Sequence, residues 1–147
     1  MTLEKQVCSL ELAKRLKELG VKQNGLFEWC EIEEGNDERI PKIPTPHLYY
    51  TSEEQASDHA YVVGDKVIGT YSAFTVAELG ELIPSGYCYS FQANEFASVN
   101  TEKQPWGCEE PPRSVDEEAE VIFFADTEAD ARAKMVCYLI ENGLMKV

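Results

Sequence analysis

The sequence contains few basic residues for its length. Only 13 Lys and Arg stand against 27 Asp and Glu in 147 residues, so the formal net charge is −14 at pH 7. Solubility alone requires a net charge of only about 2 to 8 in a small domain. The negative field repels nucleic acids and speeds the encounter with basic partners. We therefore expect the partner to be a protein with a basic surface, and direct nucleic-acid binding is disfavoured.

The sequence also lacks long apolar runs. No stretch approaches the roughly 20 apolar residues of a membrane span, and the opening segment MTLEKQVCSLELAKR has neither the basic start nor the apolar run of a signal peptide. The five cysteines are widely spaced and include no C-x-x-C pair, which favours free thiols in a reducing compartment. These absences predict a cytoplasmic protein that does not contact a membrane.

Motifs of catalysis and cofactor binding are absent as well. There is no G-x-S-x-G, no Walker-type glycine loop and no G-x-G-x-x-G. The two histidines, His47 and His59, have no neighbours at the spacing of metal ligands. Cys108 is the most suggestive thiol, but Glu109 and Glu110 beside it disfavour the thiolate. The sequence predicts a protein without enzyme activity, cofactor or metal.

The stretch LAKRLKELGVKQNGLFEW resembles a helix-turn-helix. The spacing of its leucines predicts a helix from Leu10 to Leu19, with Ser9 as the N-cap and Gly20 as the end. A recognition helix would then cover Gln23 to Glu31, where acidic side chains stand in place of the Arg and Lys that DNA contacts require. A helix followed by a strand is the better interpretation, with the basic residues on a solvated helix face: Lys14, Arg15 and Lys17.

Two further helices have clear end signals. In FTVAELGELIP, Thr75 and Glu78 predict a capping box, and Pro84 ends the helix. The last helix begins at Asp126 or Thr127 and ends at Gly143. Its predicted apolar stripe consists of Ala129, Ala133, Val136, Leu139 and Ile140.

The strand pattern completes an α+β fold. Strands are predicted for LFEWCEIE, GYCYSF and AEVIFFA, and YVVGDKVIGTY predicts a hairpin whose short loop is Gly64-Asp65-Lys66. AEVIFFA is a nearly continuous apolar run, which predicts a central strand covered on both faces. The proline-rich stretches from Arg39 to Pro46 and from Ala97 to Val115 are predicted loops. We expect a single domain over residues 1–147, with an antiparallel or mixed sheet packed by about three helices.

Two acidic clusters are the main candidates for a binding surface. The first acidic cluster contains Glu28, Glu31, Glu33, Glu34, Asp37 and Glu38, and the second contains Glu109, Glu110, Asp116, Glu117, Glu118 and Glu120, interrupted by Arg113. Rows of carboxylates can dock on a basic patch, and Trp106 is a candidate aromatic anchor beside them. The alternative is a solvated surface that only keeps the protein soluble.

A small-molecule binding protein, for example one that sequesters a nucleotide signal, is a second hypothesis. Such a site requires basic groups and aromatic faces together. Arg113 near Trp106 is one candidate centre, and Arg39 with Lys42 near Tyr49 is the other.

The segments CSLELAKRLKELGVKQ, AFTVAELGELIP and TEADARAKMVCYLIENGL resemble a family of small uncharacterised bacterial proteins that often occur in phage or prophage settings. The resemblance implies no activity, cofactor or site residue. Together with the negative charge, it leads to the hypothesis of a non-enzymatic binding protein, such as a phage-encoded inhibitor of a host protein. The sequence leaves the partner and the oligomeric state open.

Overall fold

A computed structural model describes residues 2–35, 39, 42–51, 65–84, 88–93, 104–110 and 121–147. After a short 3-10 turn at Leu3–Lys5, the described helices are α1 (Leu10–Glu18), α2 (Val76–Leu82) and α3 (Glu128–Glu141). The described strands are β1 (Phe27–Glu33), β2 (Thr45–Tyr50), β3 (Lys66–Ser72), β4 (Tyr89–Gln92), β5 (Trp106–Glu110) and β6 (Val121–Ala125). The predicted α+β class is confirmed.

The described strands form two antiparallel sheets instead of the one expected. The first sheet has the order β2-β1-β3, and the second has the order β4-β5-β6. Helix α1 packs on β3 and on α3, while α3 packs on α2 and on all three strands of the second sheet. Helix α2 carries the chain from one sheet to the other. One hydrophobic cluster joins both sheets and the three helices, and the assignment of all 147 residues to one domain stays a prediction.

The ends of α1 and α3 follow the same local rule. Gly20 and Gly143 have φ values of +89° and +67°, the left-handed region that favours glycine. The backbone N–H of Val21 donates to the carbonyl of Leu16 at 3.0 Å, and that of Leu144 donates to Leu139 at 2.8 Å. Both bonds are the predicted C-terminal motif. This motif satisfies carbonyls that have no partner within the helix.

The N-termini of the helices differ from one another. In α2, the side chains of Thr75 and Glu78 form the predicted capping box. In α3, Thr127 caps the helix by accepting a bond from the Asp130 N–H at 3.1 Å. Ser9 is the N-cap residue of α1, but its side chain makes no cap bond. Its backbone N–H instead donates to Oδ1 of Asp130 at 2.7 Å, which joins the start of α1 to the start of α3.

The prediction against a recognition helix is confirmed, because β1 occupies most of the segment that such a helix would need. Of the basic side chains of α1, Arg15 and Lys17 are exposed as predicted, whereas Lys14 is only partly exposed. Lys14 Nζ binds Glu31 of β1 at 2.7 Å, and Lys17 Nζ donates to the carbonyl of Thr70 in β3 at 2.9 Å. Both ammonium groups also lie over the ring of Tyr71. The basic face of α1 therefore contacts the first sheet.

Three predictions about strands and loops are wrong, wholly or in part. The run AEVIFFA forms β6, but β6 lies at an edge of its sheet among the described strands, and most of its residues are only half-buried. The central strand is β5, which falls in the predicted loop from Ala97 to Val115. The predicted loop from Arg39 to Pro46 likewise contains the start of β2, where Pro46 is tolerated because β2 is an edge strand.

Some predictions lie partly outside the described residues. The first arm and turn glycine of the hairpin YVVGDKVIGTY are among these, and its second arm is β3, which pairs with β1. The segment GYCYSF is a strand from Tyr89 onward, and residues 86–87 lie outside the described ranges.

Helix α3 forms the centre of the core. Its buried residues exceed the predicted stripe, since Ala131, Met135 and Cys137 are buried beside it, while Ile140 is only partly buried. At the other side of the core, the indole N–H of Trp29 donates to the carbonyl of Cys8 at 2.8 Å. In the described part of the chain, no helix has the length and apolar character needed to cross a membrane.

We expect Gly107→Ala to lower the free energy of unfolding by about 1–3 kcal/mol through overpacking. A Cβ atom at Gly107 in β5 would lie 2.7 Å from Cε2 of Phe91, whose ring also contacts Phe124 edge-on. Urea denaturation measures the loss. A double variant that also carries Phe91→Leu removes the ring, so its loss should be smaller than the sum of the two single losses. Strict additivity would contradict this account of Gly107.

Candidate functional site

The first acidic cluster is only partly exposed. Glu31 is bound to Lys14 and its side chain is 14% exposed, and Glu33 is half-buried. Glu34 is exposed, with Oε1 3.5 Å from Nε2 of His47. Asp37 and Glu38 lie outside the described residues. Within the described part of this cluster, a partner can reach Glu34 most easily.

The second acidic cluster is not the exposed surface that the sequence indicated. Glu109 and Glu110 are each only 5% exposed, because they belong to the central strand β5. Oε2 of Glu109 accepts a hydrogen bond from the hydroxyl of Tyr89 at 2.9 Å. For these two residues the exposed interpretation is wrong. The other members, together with the interrupting arginine, lie outside the described residues: Arg113, Asp116, Glu117, Glu118 and Glu120.

Many basic side chains of the described chain are held by internal contacts. Besides Lys14 and Lys17, Arg15 binds Glu141 of α3 at 2.6 Å and Glu18 at 3.2 Å. Lys134 Nζ donates to the carbonyl of Phe124 at 2.7 Å. Lys42, from the candidate centre near Tyr49, donates to the carbonyl of Gly35 at 2.5 Å. These contacts reduce the number of basic groups on the described surface that are available to bind a phosphate.

A pocket of about 290 Å³ lies at the beginning of α2 and α3. Its walls are the N-terminal residues 5–6, the first turn of α2 at residues 75–77, Trp106 at the start of β5, and residues 126–128 at the start of α3. The sequence singled out Trp106 but not the other walls. The two nearest signals were the helix caps Thr75 and Thr127, which the sequence identified for their structural role alone.

The backbone explains why these segments meet. Trp106 pairs with Ala125, the last residue of β6, so the chain enters α3 directly beside the indole. An isolated bridge between Val7 and Thr75 brings the preceding residues of the N-terminal segment next to α2. Pairing between distant parts of the chain therefore builds the pocket.

Several polar groups in the pocket have no protein partner. Within the described residues, no hydrogen bond or ion pair is made by the side chains of Lys5, Gln6 and Asp126 or by the indole N–H of Trp106. The N–H of Trp29, the other tryptophan, is bonded in the core. A buried tryptophan N–H usually donates to an acceptor. The indole of Trp106 is half-buried and has no acceptor among the described residues, so its N–H is available to a ligand.

Glu128 is held in place by two neighbours. Its Oε1 accepts from the hydroxyl of Ser90 and from Nη2 of Arg132, the latter at 3.1 Å. Its Oε2 has no partner among the described residues. The guanidinium of Arg132 also passes close to Gly80 of α2, where a Cβ atom would lie 2.6 Å from Nη1. The glycine inside α2 thus leaves room for the arginine that holds Glu128.

The buried thiols are poor nucleophiles. Burial raises the pKa of Cys108 to about 12, with smaller contributions from Cys88 and from nearby carboxylates. The sequence pointed to Glu109 and Glu110 as the groups that disfavour the thiolate, whereas burial is the larger cause of the raised pKa of Cys108. Burial likewise raises the pKa of Cys8 to about 12 and those of Cys30 and Cys137 to about 11. In the described residues, no group of three or more His, Cys, Asp or Glu is placed to hold a metal ion.

We expect a maleimide to label Cys88 much faster than the other four cysteines near neutral pH. Cys88 is the one cysteine of the five that is not buried, and the raised pKa values leave the other thiols protonated. Mass spectrometry of the native protein at successive times measures the labelling. The same protein in urea, where all five thiols should react, is the control. Labelling of native Cys108 at the rate of Cys88 would contradict the structure.

Comparison with known proteins gives this site no identity. No family model, no curated protein and no solved structure matches the chain. The resemblance of the terminal segments to phage-associated proteins therefore stays a prediction. The pocket and the distribution of charge are the features of the molecule that bear on its function.

Proposed function

We propose that the protein binds a small molecule in the pocket beside Trp106. The observation that supports this proposal is that Lys5, Asp126 and the indole N–H of Trp106 line one cavity and have no partner among the described residues. Ligand sites in proteins combine an apolar or aromatic surface with a few polar groups that point to the same space. The pocket has both components, and many other charged side chains of the described structure are already bound to protein atoms.

The size and charge of the pocket restrict the ligand. A volume of about 290 Å³ lies at the lower end of the range of about 300–1,000 Å³ for ligand pockets, so the ligand is small. Asp126 opposes a phosphate in the same space, and Lys5 is the one cation among the described residues of the lining. Arg113, which the nucleotide hypothesis also needs, lies outside the described residues. The pocket favours a small organic ligand over a nucleotide.

We expect a bound ligand to shift the indole N–H signal of Trp106 and to leave that of Trp29 nearly unchanged. The chain has two tryptophans, so a ¹⁵N-labelled sample gives two indole signals, and Trp106→Phe assigns them. The Trp29 N–H is bonded to Cys8 in the core and is an internal control. Screening a broad panel of metabolites by this measurement tests the proposal. If no compound in the panel moved the Trp106 signal, the proposed site would be wrong.

We propose, as a second candidate, that the acidic protein binds a basic partner protein, of which a phage-encoded inhibitor of a host protein would be one form. Its support is the net charge of −14, together with the internal contacts that hold Lys14, Arg15 and Lys17. These contacts leave the net charge and its long-range field unchanged, and they make the three cations less available to bind an anionic competitor of the partner. Glu34 is the exposed member of the first acidic cluster that could contribute directly.

We expect any such partner to bind tightly at low ionic strength and to be released by salt. The Debye length falls from about 30 Å at 0.01 M salt to about 3 Å at 1 M, which screens a long-range field. Affinity capture from host lysate at several salt concentrations, followed by titration of the purified partner, measures the effect. An affinity that does not change with salt would exclude the acidic-surface mechanism.

A further inference from the structure

We infer that the ligand of the pocket beside Trp106 is a small zwitterion, namely a free amino acid with an apolar or aromatic side chain. This inference rests on the proposed function and names the class of its ligand. Its basis is a pair of opposite charges, Lys5 and Asp126, that line the same cavity. The cavity also contains an aromatic surface and a carboxylate whose position is fixed.

The two charges do not neutralise each other. No ion pair within 4.0 Å joins Lys5 to Asp126, and neither side chain has another partner among the described residues. Both side chains are exposed, so a ligand with a single charge pairs with one of them and gains no ion pair from the other. A ligand with an ammonium and a carboxylate group satisfies both at once.

Glu128 adds an acceptor without adding an uncompensated charge. Arg132 and Ser90 bind its Oε1, so the ion pair with Arg132 balances the carboxylate. The remaining Oε2 can accept one N–H of the ligand's ammonium group, while Asp126 supplies the opposite charge. Arg132 is thereby a positioning residue for the ammonium site.

Trp106 fits the rest of such a ligand. The face of its indole can pack against an apolar or aromatic side chain. The size of the cavity suits one amino acid. A terminus of a protein chain would supply only one of the two charges, so a free molecule matches the lining better than a protein partner does.

A matched series of three compounds tests the inference: L-phenylalanine, phenethylamine, which lacks the carboxylate, and 3-phenylpropanoate, which lacks the ammonium. The full chain is titrated with each compound, and the two indole signals and calorimetry report binding. Because phenylalanine is only one possible side chain, the twenty free amino acids are first screened by the same signals. The best binder then defines its own amine and acid analogues.

We expect the zwitterion to bind about tenfold or more tightly than either analogue, because each analogue leaves one charged group unpaired. Lys5→Met should abolish the preference over the amine and keep the preference over the acid. Asp126→Asn should do the reverse. Both residues are exposed and without partners in the described chain, so these variants should fold. Lys22→Met removes another exposed lysine and should change neither preference.

The outcomes separate this inference from the proposed function. Binding of the amine or the acid as tightly as the amino acid overturns the zwitterion and leaves the site in place. Failure of all twenty amino acids to move the Trp106 signal also overturns the zwitterion, while the broader metabolite panel decides whether the pocket binds a ligand at all. Reversed effects of the two variants would exclude the assignment of Lys5 to the carboxylate and Asp126 to the ammonium.

Discussion

The structure depends on the burial of α3. This helix packs on the second sheet, on α1 and on α2, and its small residues Ala129, Ala131 and Ala133 are fully buried. Where a helix contacts neighbours on several sides, small side chains let its backbone approach theirs closely. The polar residues of such a helix are confined to a narrow face. Since Asp130 also binds the backbone of Ser9, the start of α3 sets the positions of both α1 and the pocket.

Charge is arranged differently at the pocket than on the rest of the described chain. Lys14, Arg15 and Lys17 are held by contacts to strands and to α3, which offset part of the cost of bringing acidic segments together. Lys5 and Asp126 have no such contacts among the described residues. The contrast is physical, since an ion pair that forms within the protein is no longer available to a ligand.

The predictable parts of the fold are those that local rules control. Helix ends were correct at Gly20, Thr75 and Gly143, because caps depend on residues a few positions apart. Strand β5 was not predicted, because Gly107 and the two glutamates have low strand propensity. Its central position results from pairing with β4 and β6. Glu109 and Glu110 were misread as exposed for the same reason. The pocket was beyond prediction, because four segments that are distant in the sequence meet there. Trp106 was predicted as an aromatic anchor and as a candidate centre with Arg113, not with the residues that line the pocket.

The bond between Ser9 and Asp130 joins residues 121 positions apart, so the core closes only when the two ends of this long loop meet. Contacts between residues so far apart form slowly, because the chain entropy of loop closure is lost before the contact stabilises the fold. The apolar faces of α1 and of the sheet that α3 covers therefore stay exposed until α3 packs against them. A folding intermediate without this contact exposes apolar surface and is prone to aggregate.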